Sequence, residues 1–207
     1  MFITTASISG AANTDYIRLL PPSQTGGLSV MEAFWKRASV REFSAKPLAD
    51  QDLSDLLFAA SGSNRPEEGK ITAPSALNTQ EIDVYLFTTQ GVFKYIPVGH
   101  KLEKIVDGDY RKIIAGTPEF SQDFVLDAPV SLLIVANPQK FERSSDMAQM
   151  MAVTDAGIMT ENVCLFCAGK RLACVPRATM DREAIAKLLN LPKEVISVIN
   201  IPVGYHK

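Results

Sequence analysis

Histidine and cysteine are scarce in this chain, with 2 and 3 among 207 residues. That leaves little material for a metal site, and none is expected. His100 and His206 each stand alone, so a histidine-centred hydrolase triad has no support. Both are expected at the surface. The three cysteines give no complete disulfide framework. Cys164 and Cys167 form a C-x-x-C inside an apolar run, where cysteine reads as a small buried hydrophobe. No G-x-G-x-x-G and no G-x-x-x-x-G-K-[ST] occurs, which excludes the Rossmann fingerprint and the P-loop. Charge of one sign is also missing. With 21 basic and 23 acidic residues the net charge is −2, against a dedicated nucleic-acid binder. No uninterrupted apolar run is long enough to span a bilayer. The nearest, 147–169, carries Asp155, Glu161 and Asn162 and reads as a helix surrounded by protein.

Residues 1–16 contain no Lys or Arg, so they are not a secretory signal as written. Small residues dominate 6–12, which would also suit the remnant of a longer leader. A cytoplasmic location is expected, and a periplasmic or exported one if 1–16 is such a remnant.

What the chain does have is apolar content, 46% of its residues, enough for a core and against wholesale disorder. Residues 1–28 read as an extended arm, because Pro21, Pro22, Gly26 and Gly27 forbid a regular helix there. Residues 29–207 read as one domain. Ser29 is expected to cap a helix over 30–37. Asp50 is expected to cap a second, with Leu53, Leu56, Leu57 and Ala60 on one face and Gly62 as its stop. A loop covers 61–76. Strands are expected at 83–88 and 92–96 as a hairpin, at 129–136 as a central strand, at 172–176, and at 195–203 with a break at Pro202. Helices are expected at 110–115, 146–170 and 181–190. The class is therefore α+β, with no internal repeat.

Three constellations carry polar chemistry. The first is Arg37-Ala38-Ser39-Val40-Arg41. In an extended segment Arg37, Ser39 and Arg41 share one side and Val40 faces the other. Two guanidinium forks and a hydroxyl suit a phosphate followed by a polar chain. The ordinary alternative is a solvated charged patch. The second is Pro74-Ser75-Ala76-Leu77-Asn78-Thr79-Gln80. Its uncharged hydroxyl and amide groups can read the edge of a planar heterocycle, or simply satisfy the backbone of a turn. The third, Cys174-Val175-Pro176-Arg177-Ala178-Thr179-Met180-Asp181, joins a strand to a helix. It offers backbone N–H donors to an anion or a ring, or serves as a plain connector.

The order of these motifs resembles the flavin-dependent nitroreductase family over about 27–205. Gly62-Ser63-Asn64-Arg65-Pro66 lies between the first two, a long apolar helix and Val175-Pro176 follow, and Ile201-Pro202-Val203-Gly204-Tyr205 ends the match. The stretch 64–85 looks most like the branch that contains azoline-oxidising dehydrogenases.

The resemblance implies a nitroreductase-like fold, with a mostly antiparallel central sheet flanked by helices and an intertwined homodimer holding two FMN at its interface. It implies hydride transfer through flavin N5, from NAD(P)H to a nitroaromatic, quinone or similar small acceptor, with no catalytic side chain. Alternatives within the resemblance are a flavin-binding module without turnover and another flavin reaction such as azoline oxidation. Arg37 and Ser39, with Ala38 between them, match residues at the FMN phosphate and ribityl chain. Arg41 matches a cation near N1 and O2. Asn78, with Pro74, Ser75 and Gln80 around it, matches the pyrimidine-edge position. Pro176 and the backbone of Arg177, Ala178 and Thr179 match the segment at N5 and O4. Many relatives have Glu-Gly where this chain has Ala178-Thr179, and often a further basic residue on the phosphate, a role open to Lys207.

Overall fold

The computed structural model describes residues 16–143 and 145–207. A strand β1 (Tyr16–Arg18) is followed by helices α1 (Val30–Lys36) and α2 (Asp50–Ser61). A short hairpin, β2 (Ser63–Arg65) and β3 (Lys70–Ile71), occupies part of the expected loop. Then come β4 (Ile82–Thr88), β5 (Gly91–Ile96), β6 (Lys101–Asp107), α3 (Arg111–Ala115) and β7 (Val130–Ala136). The long helix α4 (Ser145–Lys170), β8 (Leu172–Cys174), α5 (Arg182–Leu188) and β9 (Ile196–Tyr205) complete the chain. Seven strands form one sheet in the order β1-β6-β5-β4-β7-β9-β8, with every neighbouring pair antiparallel.

The sheet is covered on both faces, which is why β7 reads as a nearly all-apolar run. Val130, Leu132, Ile134 and Ala136 face α2 and α4, while Leu133 and Val135 face α3 and α5. Neighbouring β4 divides the same way, Val84 and Leu86 against Tyr85 and Phe87. Period-two alternation between two apolar layers leaves a single polar position in β7, the buried Ser131. Helix α4 lies on the sheet through small residues, Ala148, Ala152 and Ala156, continued by Met159, Val163 and Cys167.

Several expectations need correction. Asp50 is the first residue of α2 rather than its cap; Ala49 occupies the cap position and makes no side-chain bond. The strand β6 was not expected, because Lys101, Glu103, Lys104 and Asp107 break its apolar pattern. The last strand runs through Pro202, which lies opposite Ser131 of β7, and through Gly204. A Cβ on Gly204 would stand 2.7 Å from Pro129 Cδ and 3.4 Å from the Phe43 ring, so this position needs glycine for close approach. Helix α4 is not surrounded. Its outer face leaves Met147, Met150, Val153 and Ile158 exposed, beside exposed Val30, Met31, Phe34 and Trp35 at or near α1. Part of the expected arm, 16–18, is an edge strand on β6, and residues 1–15 lie outside the described residues. The cysteines are buried and unbridged, as expected. A sulfur contact with Cys174, then burial, pushes the Cys164 thiol far up. Among the described residues no helix is long and apolar enough to cross a membrane.

His100 is half-buried rather than a surface residue. Its Nδ1 lies 2.7 Å from the Tyr95 hydroxyl and its Nε2 lies 2.7 Å from Ser54 Oγ, which donates at 2.5 Å to the Leu20 carbonyl. One polarity satisfies all four groups: Tyr95 O–H donates to Nδ1, and Nε2–H donates to Ser54. The neutral ring therefore ties β5, α2 and the segment after β1 together. Burial holds His100 below the ordinary value of 6.5, against the opposing pull of the Leu20 carbonyl and Asp55. Neutral His100 thus contributes stability above about pH 6.5, which is lost as pH falls and the unfolded chain takes up a proton first. His100→Ala should cost about 1–3 kcal/mol in urea denaturation at neutral pH. The gap between wild type and variant should narrow as pH drops below about 6.5.

Candidate functional site

The Arg37–Arg41 segment is extended because α1 stops cleanly. Ser29 and Glu32 form a capping box at its start, and the Arg37 N–H donates to Ala33 O at 2.8 Å before the backbone turns extended. The Val40 N–H donates to the Cys174 carbonyl at 2.9 Å, on the free edge of β8. Further on, Phe43 bridges His206 and the Ser44 N–H donates to Tyr205 O at 2.9 Å. Val40 packs against Phe43, Ala128, Ala173 and Val175. Arg37, Ser39 and Arg41 are all exposed, and so is Ala38, while Val40 is half-buried. Ala38 and Val40 line the other side, a cleft of about 430 Å³ that also meets Cys164 and Cys174. Neither the Arg37 nor the Arg41 guanidinium has a hydrogen bond or ion pair among the described residues. Lys207 is exposed, one residue past the Phe43–His206 bridge.

The loop 74–80 is strained and internally bonded. Leu77, Asn78 and Gln80 all have positive φ, at 55°, 56° and 49°, which side chains other than glycine seldom adopt. The Gln80 N–H donates to Ser75 Oγ at 3.0 Å, Gln80 Nε2 donates to the Gly69 carbonyl at 2.6 Å, and Lys140 Nζ donates to the Gln80 carbonyl at 3.0 Å. Ser75 and Gln80 are therefore engaged within the turn. Asn78 is exposed, and its amide N–H₂ has no acceptor among the described residues. The Ala76 N–H donates to Asp155 Oδ2 on α4 at 2.6 Å.

At 176–179 the structure separates side chain from backbone. Arg177 is buried, donating to the carbonyls of Ile114 and Ala115, to Asn200 Oδ1 and to Gln122 Oε1, all at 2.7–2.8 Å. Its backbone N–H and C=O are both bonded to Asn200. Burial lowers this guanidinium to about 10, so it stays charged at neutral pH. The N–H groups left without a partner are those of Ala178, which is exposed, and Thr179. The contribution expected from Arg177 thus narrows to holding its two neighbours in place.

Within one chain the structure brings together two of the three constellations. Segments 37–41 and 176–179 meet through β8, since Val40 bonds Cys174. The 74–80 loop is anchored at Asp155, whereas the cleft behind Ala38 reaches α4 at Cys164 and Ala168. At 1.5 Å per residue these points lie roughly 14–20 Å apart along the helix.

One group escaped sequence reasoning. Glu81 is fully buried at the foot of β4, and neither of its carboxyl oxygens meets a donor among the described residues. Burial, and then the neighbouring Asp155, raises its carboxyl to about 7. The available signal was Asp155 itself, an acid in an otherwise apolar helix. Among the described residues no group of His, Cys, Asp and Glu could hold a metal ion.

Comparison with known proteins gives a consistent picture. The model of the nitroreductase family matches residues 35–205. A candidate nitroreductase of Methanocaldococcus jannaschii is 31% identical over 176 residues, 82% of this chain and 87% of its own. The crystal structure of a candidate nitroreductase from Ralstonia eutropha superposes with a TM-score of 0.85 at 33% identity, covering 96% of this chain and 93% of the other. A chain of the Escherichia coli microcin synthetase McbBCD complex shares the fold, with a TM-score of 0.71 at 21% identity over 99% and 85%.

The two kinds of arginine predict opposite outcomes in urea denaturation. Arg177→Met strands buried carbonyls and an amide, and should cost about 3 kcal/mol or more. Arg37→Ala and Arg41→Ala should each stay within about 0.5 kcal/mol of wild type.

Proposed function

The chain belongs to the nitroreductase family, and on that premise we propose that it is an FMN-dependent oxidoreductase working as a homodimer, taking electrons from NAD(P)H and passing them to a nitroaromatic, quinone or similar small acceptor. The observation that carries this reading is the pair of exposed guanidinium groups, Arg37 and Arg41, which flank Ser39 beside the edge of β8 and have no hydrogen bond or ion pair among the described residues. FMN would supply the hydride acceptor and donor, its N5 atom, which explains how a chain with two histidines can be a redox enzyme.

The residues fit such a group. Arg37 and Ser39 would hold the phosphate and ribityl chain, as forked donors to anionic oxygens do. Lys207, close to the same segment, would add charge there. Arg41 would face the N1/O2 edge, where a preorganised cation stabilises negative charge after reduction. The free N–H groups of Ala178 and Thr179 would meet the ring's N5 and O4 side, with Pro176 shaping the turn. Asn78 would read the pyrimidine edge with its unused amide, on a loop that Pro74, Ser75 and Gln80 hold rigid.

The homodimer reading draws support from two features. Trp35 is 85% exposed and stands with Met31 and Phe34 beside the outer face of α4. Such a contiguous apolar surface marks an interface. The spread of the constellations along α4 also requires a second copy if the 74–80 loop is to reach the arginine face.

Purified protein should carry a flavin absorption spectrum, bleach on addition of NADH or NADPH, and recover with a nitroaromatic or quinone. Arg37→Ala and Arg41→Ala should each weaken FMN binding about 10–100-fold, as loss of a charge-assisted bond implies. Protein that stays colourless through an FMN titration would overturn the reading. Trp35→Glu should shift the light-scattering mass from dimer toward monomer and release flavin with it.

A further inference from the structure

Among the described residues three acids are buried and unused by the proposed chemistry, Asp55, Glu81 and Asp155; Asp55 is paired with Lys170 and accepts from Ser23 and Gln51, which leaves Glu81 and Asp155. Glu81 is 0% exposed and Asp155 is 5% exposed. Asp155 presents Oδ2 to the Ala76 N–H at 2.6 Å, across the gap between α4 and the loop. Glu81 directly follows Gln80, the last positive-φ residue of that loop, and its carbonyl accepts from the Asn137 N–H at 3.0 Å. The charged groups facing Glu81 are Asp155 from α4 and Lys140 from the turn after β7, whose Nζ is bonded to the Gln80 carbonyl. No donor among the described residues reaches either Glu81 oxygen. Two facing carboxyl groups in a dry site bond to each other only when one keeps its proton.

We propose that Glu81 and Asp155 share a single proton, and that this carboxyl–carboxylate pair is the positioning device that locks the 74–80 loop onto α4. The protonated partner donates to the ionised one. Asp155 then keeps a lone pair for the Ala76 amide, and the strained turn through Leu77, Asn78 and Gln80 keeps its shape. With the proton lost, two like charges face each other in a buried site, and the Asp155 anchor moves away from Glu81. The loop's contribution to flavin binding rests on the function proposed above; the shared proton and the lock do not.

The sign of the pH dependence follows from burial. Unfolded Glu81 ionises near its ordinary value of 4.5, whereas folded Glu81 holds its proton to about 7. The pair's stabilising contribution is therefore full below about pH 4.5 and is lost as pH rises through about 7. Glu81→Gln replaces the proton with a permanent N–H donor, so it should keep the lock and remove the pH dependence. Glu81→Ala should lose the lock at every pH.

The test compares wild type, Glu81→Gln and Glu81→Ala from about pH 5 to about pH 9. One readout is urea denaturation without added flavin, and the second is hydrogen exchange of the Ala76 amide corrected for intrinsic rate. Wild type should lose stability relative to Glu81→Gln as pH rises, and its Ala76 protection should fall about tenfold against Glu81→Gln. Parallel stability profiles for wild type and Glu81→Gln overturn the shared proton. A stability difference without a difference at Ala76 overturns the lock. Should Glu81→Ala fail to fold, the comparison with Glu81→Gln still decides both points. FMN titration forms a separate arm. Wild-type affinity should fall about tenfold over the same range while that of Glu81→Gln stays level. If FMN binds with the same pH profile in both, the loop does not position flavin. If FMN binds neither protein, the proposed function fails and the lock is judged on Ala76 alone.

Discussion

A 26-residue helix that is apolar on most sides has to be covered on most sides, and much of this structure follows from that requirement. The inner face of α4 meets it with alanines that let the backbone lie close to the sheet. Helices α1 and α2 cover its flanks, and β8 returns along it so that Cys174 comes to Cys164 and Cys167. The outer face, with Met147, Met150, Val153 and Ile158, has no cover in one chain. In the proposed dimer a second copy supplies it. An antiparallel crossing of the two α4 helices would then set the loop anchored at Asp155 of one copy toward the arginine face of the other.

Charge is arranged with the same economy. Arg177 is enclosed by acceptors and is structural, while Arg37 and Arg41 stand on the surface with no partner among the described residues. Composition alone cannot distinguish them, because all three are equivalent in a net charge of −2. Two buried titrating sites also act against each other. The native state disfavours the proton on His100 and favours it on Glu81. As pH falls from about 7 the first lowers stability and the second raises it. The contributions of these two sites thus partly cancel, and variants separate them.

Readings that depend on short-range periodicity came through best. The alternation Arg37, Ser39, Arg41 against Val40 needs only that five residues be extended, and the end of α1 provides that. The nearly all-apolar β7 announced a strand with both faces covered, and the fold class followed from the interleaving of elements. What failed had its cause at a distance. Strand β6 is held by β5 and β1, so its charged residues misled a local pattern search. His100 looked isolated because Ser54 lies 46 residues away in sequence. Arg177 matched a family position by order, and only the fold shows its side chain turned inward to the carbonyls after α3. Asp155 was visible as an interruption of the apolar run of α4, without its partner Glu81.

The loop 74–80 shows why a buried acid belongs there at all. Three non-glycine residues at positive φ within four positions carry strain of order 1 kcal/mol each. Internal bonds from Ser75 and Gln80 shape the turn but do not attach it to anything. Attachment comes from Gly69, from Lys140 and, at the turn's first N–H, from Asp155. A neutral acceptor at 155 would make a weaker bond to that N–H, and an unaccompanied carboxylate would be costly in so dry a site. A second carboxyl group that retains its proton resolves the conflict, giving Asp155 the acceptor strength of an anion with a donor beside it. In the proposed pair the buried carboxyl group of Glu81 thus supports the bond by which Asp155 holds the strained turn.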